Sequence, residues 1–418
     1  MSQEWNNSQG VSEGRNSLES AAAAATQLPQ QQPPAFLTMT QMQEAITTEE
    51  VIRRIEELAS SIIDALDEER MPVLETFHQP DYVVPHRVII KRFTMNQCRS
   101  FTSILLVTNF CHALLTAKRN TTNREVYYFY VTHFRNQKEC DLAIQDAACI
   151  LQVPRNSLGL KASPRGWFCG DIQLLQKGDN NVILDGRALQ SVQGSPVSSD
   201  WLKPASQRNF TVQTTAAECI LVVEKEGVYN RLSEDRFFDD YPCILVTGKG
   251  FPDLATRAIV HALHFCLDLP VRGLADCDPF GVMVLHTYQH GSKRMGLDGG
   301  DRFAVPMEWV GLRPSQVEEL KRGKPALPRE VFQELTDLDK RRLNDHLLSD
   351  THRWTDFGQD KRRIEELQDM RDSGYKVELE ALNWLGVDYC CEWLGSIFDY
   401  NDQKEVGQDD GDEWMEII

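Results

Sequence analysis

No stretch of this 418-residue chain is apolar over the roughly 18–20 residues a membrane helix requires, and its start carries no apolar core of the secretory kind. A soluble intracellular protein with no membrane partner is therefore expected. The 11 cysteines include no CxxC and no Cys/His cluster at zinc spacing, which excludes a structural zinc site of the usual kind. Adjacent Cys390 and Cys391 read as buried thiols. The chain also lacks the GxxxxGK[ST] loop of an ATP site, a nucleophile elbow and a HExxH helix, so ATPase, α/β-hydrolase and zinc-protease chemistry fall away. Positive charge is scarce: 44 Lys and Arg stand against 62 Asp and Glu, a net charge of −18. That argues against nucleic-acid binding by the surface as a whole.

The positive charge that is present is concentrated. Between His86 and Lys138 lie Arg87, Lys91, Arg92, Arg99, Lys118, Arg119, Arg124, Arg135 and Lys138, against the single acid Glu125. Such a run is either a solvated face or a phosphate-binding surface, and the tyrosines in its midst favour the second.

Residues 1–45, with an alanine run and Gln30-Gln31-Gln32-Pro33-Pro34, cannot bury enough surface to order themselves and read as a disordered head. Over 46–72 an amphipathic helix is expected to start at the N-cap Thr47, with Glu50 at the capping-box position, and to stop before Pro72. Val51, Ile55, Leu58, Ile62 and Leu66 form its apolar stripe, which either packs on the chain's own domain or docks in a partner's groove. Over 83–177 three helices (Phe101–Leu115, one from Thr122, one capped by Asn136) precede the strand-like Trp167-Phe168-Cys169 and Ile172–Leu175. This is the winged helix-turn-helix pattern. Residues 178–216 are rich in Gly, Ser, Asn and Gln and read as a linker. From 217 to 400 short apolar strands at Cys219–Val223, Cys243–Val246 and Val271–Ala275 alternate with helices, predicting an α/β domain with a parallel sheet and a helical C-terminal part. Residues 401–418 form an acidic tail.

On a helix from 123 to about 135, Tyr127, Tyr130, Val131 and Phe134 share one apolar face. Tyr128 falls on the polar stripe with Arg124, four residues earlier, so one phosphate can meet both the hydroxyl and the guanidinium. A free tyrosine titrates near 10, so such a nucleophile needs cations nearby. Glu224 ends one predicted strand, and Asp276 and Asp278 end another. The carboxyl ends of parallel strands line a common crevice. Three carboxylates converging there require a cation, and oxygen-only ligands favour Mg²⁺. Asp278-Pro279 also fits a plain N-cap. Gly248-Lys249-Gly250 reads as a tight turn. Lys249, Arg257 and Lys293 are further candidate phosphate contacts alongside Lys118, Arg119, Arg135 and Lys138. A nucleophile, a cation and a divalent-metal site together point to phosphoryl transfer on DNA.

At these residues the sequence resembles the family formed by the A-type chain of topoisomerase VI and its meiotic relative, the sporulation-eleven recombination protein. The matching blocks are Arg124-Glu125-Val126-Tyr127-Tyr128, Val222-Val223-Glu224-Lys225-Glu226, Thr247–Asp253 with Thr256-Arg257, Asp276–Gly281, His290-Gly291-Ser292 with Met295, and Trp309–Leu312. The resemblance implies a CAP-like winged-helix domain and a Toprim domain. It implies Tyr128 as nucleophile, metal at Glu224, Asp276 and Asp278, and a 5′-phosphotyrosyl link on each strand of a double-strand break. It further implies double-stranded DNA as substrate and a homodimer or 2:2 assembly in which the tyrosine of one chain meets the acids of the other. Other meiotic break proteins and a topoisomerase VI B-like subunit are the implied partners, and the nucleus the location. A true A-type topoisomerase VI chain and a non-catalytic DNA-binding scaffold are the other readings. Loss of Tyr128 or of an acid would mark the scaffold, and neither is lost.

Overall fold

The computed structural model describes residues 46–78, 87–161, 165–189, 191–291, 300–348 and 360–406. The expected disordered head, Lys293 and residues 407–418 of the expected acidic tail lie outside them.

Helix α1 (Thr48–Asp67) starts where Thr47 accepts the Glu50 N–H at 3.2 Å. Its apolar stripe divides along its length. Val51 and Ile55 are buried, Leu58 and Ile62 are half-buried against the same core, and Leu66 is 56% exposed. Of the two readings of the stripe, the inner half takes the first, and Val51 and Ile55 are corrected from candidate partner contacts to members of this chain's own core. Arg54 helps fix this end of the helix, donating to the carbonyls of Leu151 and Gln152 at 3.0 and 3.1 Å.

The centre of this helical unit is α2 (Cys98–Thr116). By length and composition it is apolar enough to cross a membrane, contrary to the expectation from sequence. Here its Phe101, Ile104, Val107, Cys111 and Leu115 are buried in the unit's core. Around it pack α3 (Asn123–Phe129) and α4 (Gln137–Leu151), with Asn136 capping α4 by accepting the Glu139 N–H at 2.9 Å. The antiparallel pair of this unit is β1 (Val73–His78) with β2 (Arg87–Arg92), and β3 (Thr121–Thr122) runs parallel to β4 (Leu160–Lys161).

The second unit is built on six strands. In spatial order they are β13 (Glu308–Gly311), β12 (Val271–Leu274), β10 (Cys219–Val223), β11 (Cys243–Thr247), β5 (Trp167–Gly170) and β8 (Ser195–Pro196). The first four are parallel; β5 and β8 close the edge antiparallel. Every residue of β10 and β11 is buried, as expected of strands covered on both faces.

Two expectations are corrected here. Trp167–Cys169 and Ile172–Leu175 are not a hairpin wing of the helical unit. The first pairs with β11, and β6 (Gln173–Gln176) pairs with β7 (Val182–Asp185) and β9 (Phe210–Gln213) in a separate three-stranded sheet. Nor is 178–216 a linker. Val197, Trp201 and Leu202 are buried in the sheet unit's core, and Asp171 accepts from the hydroxyls of Thr214 and Thr215 at 2.8 and 2.7 Å. A few apolar anchors in a polar stretch carry the burial that its composition conceals.

Helices α5 (Glu226–Glu234), α6 (Phe237–Asp240), α7 (Leu254–Leu267) and α8 (Pro279–His290) follow the strands, with Asp253 and Asp278 as N-caps of the last two. Beyond β13 come α9 (Pro314–Arg322), α10 (Asp337–Arg342), α11 (Asp360–Ser373) and α12 (Tyr389–Val406), with β14 (Gln333–Glu334) paired to β15 (Tyr375–Lys376). Leu320, Leu367, Met370 and Leu394 from this region complete the core.

Candidate active site

Helix α3 is only two turns long, too short to hold itself in water. Thr122 caps it, accepting the Glu125 N–H at 3.2 Å. Val126, fully buried, fastens it to the core, and burying a valine stabilises by roughly 1.5–3 kcal/mol. With Val126 inside, Tyr128 is turned out, 57% exposed, and Tyr127 is half-buried. The Arg124 guanidinium lies 5.8 Å from the Tyr128 ring centroid, and the Tyr127 ring at 5.4 Å. Val131, expected on the core face, is exposed, because the helix ends at Phe129 and the 3.6 period stops with it.

A polar brace holds the turn behind Tyr128. Arg99 on α2 pairs with Glu139 on α4 at 2.7 Å and donates to the His133 carbonyl. Ser103 and His133 share a hydrogen bond of 2.8 Å. The Arg99 hydrogen bond, with the Arg135 N–H, holds the Glu139 carboxyl down to about 2. Of the expected DNA contacts in this unit, Lys118, Arg119, Arg135 and Lys138 are all exposed.

In the sheet unit, Glu224 leaves β10 and Asp276 and Asp278 leave β12, side by side in the sheet. The Glu224 N–H donates to the Leu274 carbonyl at 2.9 Å, and the Asp276 N–H donates to Glu224 Oε2 at 3.1 Å. Asp278 caps α8, its Oδ1 accepting the Gly281 N–H at 2.5 Å. The N-cap role is thus realised, and it spends one of the two oxygens. Gly281 is needed for this approach: a Cβ there would stand 2.7 Å from the Asp276 carbonyl oxygen and 3.0 Å from Glu224 Oε2.

Burial, and then the charge of Asp276, pushes Glu224 up to about 8. Burial raises Asp278 to about 6, with Asp276 adding to it, and burial raises Asp276 as well. Among the described residues no three His, Cys, Asp or Glu side chains are already drawn into the arrangement of a bound metal. The donor set nonetheless fits a hard divalent cation: buried Asp276 with half-buried Glu224 and Asp278 beside it, each of these two raised by burial and then by the charge of Asp276, with oxygen donors only.

The family model described as the Toprim domain of the topoisomerase 6 A-type chain and Spo11 matches residues 219–394, and one described as Type IIB DNA topoisomerase matches 99–160. The chain is 34% identical to the meiotic recombination protein SPO11-2 of Oryza sativa subsp. indica, over 72% of this chain and 73% of that protein. It belongs to the family of Spo11 and the A-type chain of topoisomerase 6. Meiotic recombination protein SPO11 of Mus musculus is 28% identical over 82% of this chain and 85% of its own length. The A-type chain of DNA topoisomerase 6 of Arabidopsis thaliana is 30% identical over 72% and 65%.

The family's Toprim match takes in Glu224, Asp276 and Asp278, and the other takes in Arg124 and Tyr128. Among the described residues Tyr128 contacts Arg124 and Tyr127, and no contact joins it to the three acids. One expected DNA contact is overturned. Arg257 is 0% exposed on the inner face of α7, where burial lowers its guanidinium to about 10, so it cannot meet a backbone phosphate from this position. Lys249 is partly exposed but engaged, 2.6 Å from Glu226 and over the Trp167 ring at 5.1 Å. The sequence reading assigned no role to Lys225, which pairs with Asp276, or to Glu378 and Glu380, which pair with Lys225. The first was visible within the Glu224-Lys225-Glu226 block. The other two come from a segment about a hundred residues beyond Asp276, and no local pattern announces them.

Proposed function

We propose that this chain is a Mg²⁺-dependent DNA transesterase of the nucleus that makes the double-strand breaks initiating meiotic recombination, with Tyr128 as its nucleophile. The observation that carries this reading is the outward Tyr128 beside Arg124 in a chain that also gathers Glu224, Asp276 and Asp278 at the ends of adjacent strands. The similarity to proteins named for meiotic recombination supports the biological setting.

Tyr128 Oη loses its proton and forms a bond to the scissile phosphorus while the bond to the 3′ oxygen breaks and that oxygen takes up a proton, leaving a 5′-phosphotyrosyl link and a free 3′-hydroxyl. One phosphoester replaces another, so the bond energy is kept in the adduct. Arg124 pairs with a non-bridging phosphate oxygen and offsets the charge that builds on attack. Glu224, Asp276 and Asp278 would hold the Mg²⁺, which supplies electrophilic stabilisation at the phosphodiester when bound. Two chains act together, each cutting one strand, and the Tyr128 of one chain works at the acids of the other.

Isolation of covalent protein–DNA adducts from cells entering meiosis tests the reading directly. Adducts at 5′ ends in those cells support it, and their absence at the time of recombination sinks it. Similarity to the A-type chain of DNA topoisomerase 6 favours one second reading, a cleaving-and-religating enzyme working with an ATPase partner. Plasmid relaxation by the chain with a B-type subunit would select that reading instead.

The exposed Lys118 and Arg119 extend the basic surface of the Tyr128 unit. Reversing both charges is expected to weaken binding across DNA sequences and to flatten the salt dependence by roughly one unit of log–log slope per lost phosphate contact. An unchanged slope in filter-binding titrations would place the DNA path elsewhere.

The proposed docking face for the B-type subunit is now confined to the outer half of α1. Leu58 and Ile62 line a groove of about 450 Å³ with Leu105 and His112 of α2, and Leu66 lies exposed beyond them. Leu58→Glu with Ile62→Glu should abolish co-purification of a B-type subunit while DNA binding by the chain persists. Circular dichroism showing an unfolded double variant would assign these residues to the chain's own core.

A further inference from the structure

Lys225 follows Glu224 directly, and its ammonium is shared among three acids. Nζ lies 3.0 Å from Asp276 Oδ2, 3.3 Å from Glu378 Oε2 and 2.5 Å from Glu380 Oε2. The two glutamates flank Leu379, whose N–H donates to Asp276 Oδ1 at 2.8 Å. Just before them, Cys277 and Val377 exchange backbone hydrogen bonds of 2.9 and 3.1 Å. The segment 377–380 is therefore registered on the strand-end acid by its backbone, and Lys225 bridges the two by charge.

Both Asp276 oxygens are thereby in use, Oδ1 by a backbone N–H and Oδ2 by Lys225. The side chain of Asp276 is 9% exposed, whereas those of Glu378 and Glu380 are 53% and 43% exposed. The ammonium stands between one buried acid and two solvated ones. A cation taking Oδ2 must move it. The two glutamates, already within contact distance, give it somewhere to go without leaving the crevice.

We propose that Lys225 is a positioning residue that exchanges with the divalent cation at Asp276, retreating to Glu378 and Glu380 as the cation binds. This rests on the reading of Glu224, Asp276 and Asp278 as a cation site. Binding there is then a replacement of one positive charge by another. Lys225 keeps Asp276 in place and at the same time competes for it, which sets the cation affinity below what the bare carboxylates would give.

The test is Mn²⁺ titration of the full chain, read by electron paramagnetic resonance of the free ion, so that no DNA cleavage is needed. Lys225→Met removes the competitor and is expected to tighten Mn²⁺ binding by roughly three- to ten-fold, with Lys225→Gln as a shorter neutral variant should the methionine disturb folding. Replacing Glu378 and Glu380 by Gln together removes the retreat and should weaken binding in the wild-type background. In the Lys225→Met background the same pair of changes should have a clearly smaller effect, since no lysine then needs to be moved. Unchanged or weaker binding in both Lys225 variants overturns the exchange, and so does an equal effect of the glutamine pair in both backgrounds. If neither the wild type nor the Lys225 variants bind Mn²⁺ saturably, the cation reading itself falls, and the exchange with it. Binding by the variants alone supports the exchange.

Discussion

Tyr128→Phe is expected to abolish covalent protein–DNA linkage while leaving the fold and DNA binding nearly intact. The substitution removes one hydroxyl from an exposed ring. The ring itself stays, so the contact with the Arg124 guanidinium is kept. An exposed change of this kind shifts stability by no more than about 0.5 kcal/mol. Loss of the attacking atom, by contrast, should lower adduct formation by roughly a thousand-fold or more. Detergent-resistant adducts, melting temperature and filter binding measured together separate these effects. Tyr127→Phe should be mild, because Tyr127 is half-buried beside Val126 and does not present its hydroxyl in the same way. Adducts that survive Tyr128→Phe but vanish with Tyr127→Phe would reverse the assignment of the two tyrosines.

The second large effect concerns Glu224, whose carboxyl is raised from an ordinary 4.5 to about 8 by burial and the charge of Asp276. Between those two values the folded chain holds a proton that the unfolded chain has released. The folded state binds more protons, so without divalent cations stability should fall as pH rises from about 4.5 to about 8. Asp278, raised to about 6, adds a change of the same sign at the lower end of that range. A tenfold change in proton affinity is worth about 1.36 kcal/mol, which bounds the Glu224 contribution at several kcal/mol.

Glu224→Gln removes that burden, and the amide oxygen can still accept the Asp276 N–H. In EDTA at pH 8 the variant should therefore melt higher than the wild type. Mg²⁺ at the same pH should raise the melting temperature of the wild type and leave the variant nearly unchanged, and adduct formation by the variant should be lost. A variant less stable than wild type in EDTA at pH 8 would show that Glu224 is not held there against its own charge. Equal protection of both proteins by Mg²⁺ would remove Glu224 from the cation site.

Elements governed by local pattern could be read from the sequence. The all-apolar runs Cys219–Val223 and Cys243–Val246 have little alternative to buried parallel strands, and Thr47, Asn136 and Asp278 cap the helices they precede. What failed depended on distant partners. Trp167–Gly170 carries every local mark of a wing strand, but its pairing edge is β11, far along the chain. Trp201 is one large anchor in a stretch whose composition is otherwise that of a linker. In the site, the outward turn of Tyr128 followed from helical periodicity, although the buried residue that fixes it is Val126. Arg257 could not be told from a surface cation, because its charge is visible in the sequence and the depth of its helix face is not.

The placement of β5 also determines where this chain can be divided. Cutting in the glycine- and serine-rich stretch after residue 177 would leave β5 and β6 attached to the helices, stripping β5 from the six-stranded sheet and β6 from the three-stranded one. The edge of β11 would then present Ile244, Leu245 and Val246 with an unmet row of backbone donors and acceptors, a template for aggregation. A boundary between 161 and 167 instead keeps the helical core whole on one side and every strand of the six-stranded sheet on the other. For this protein the natural seam lies ahead of the segment that looks most like a tether.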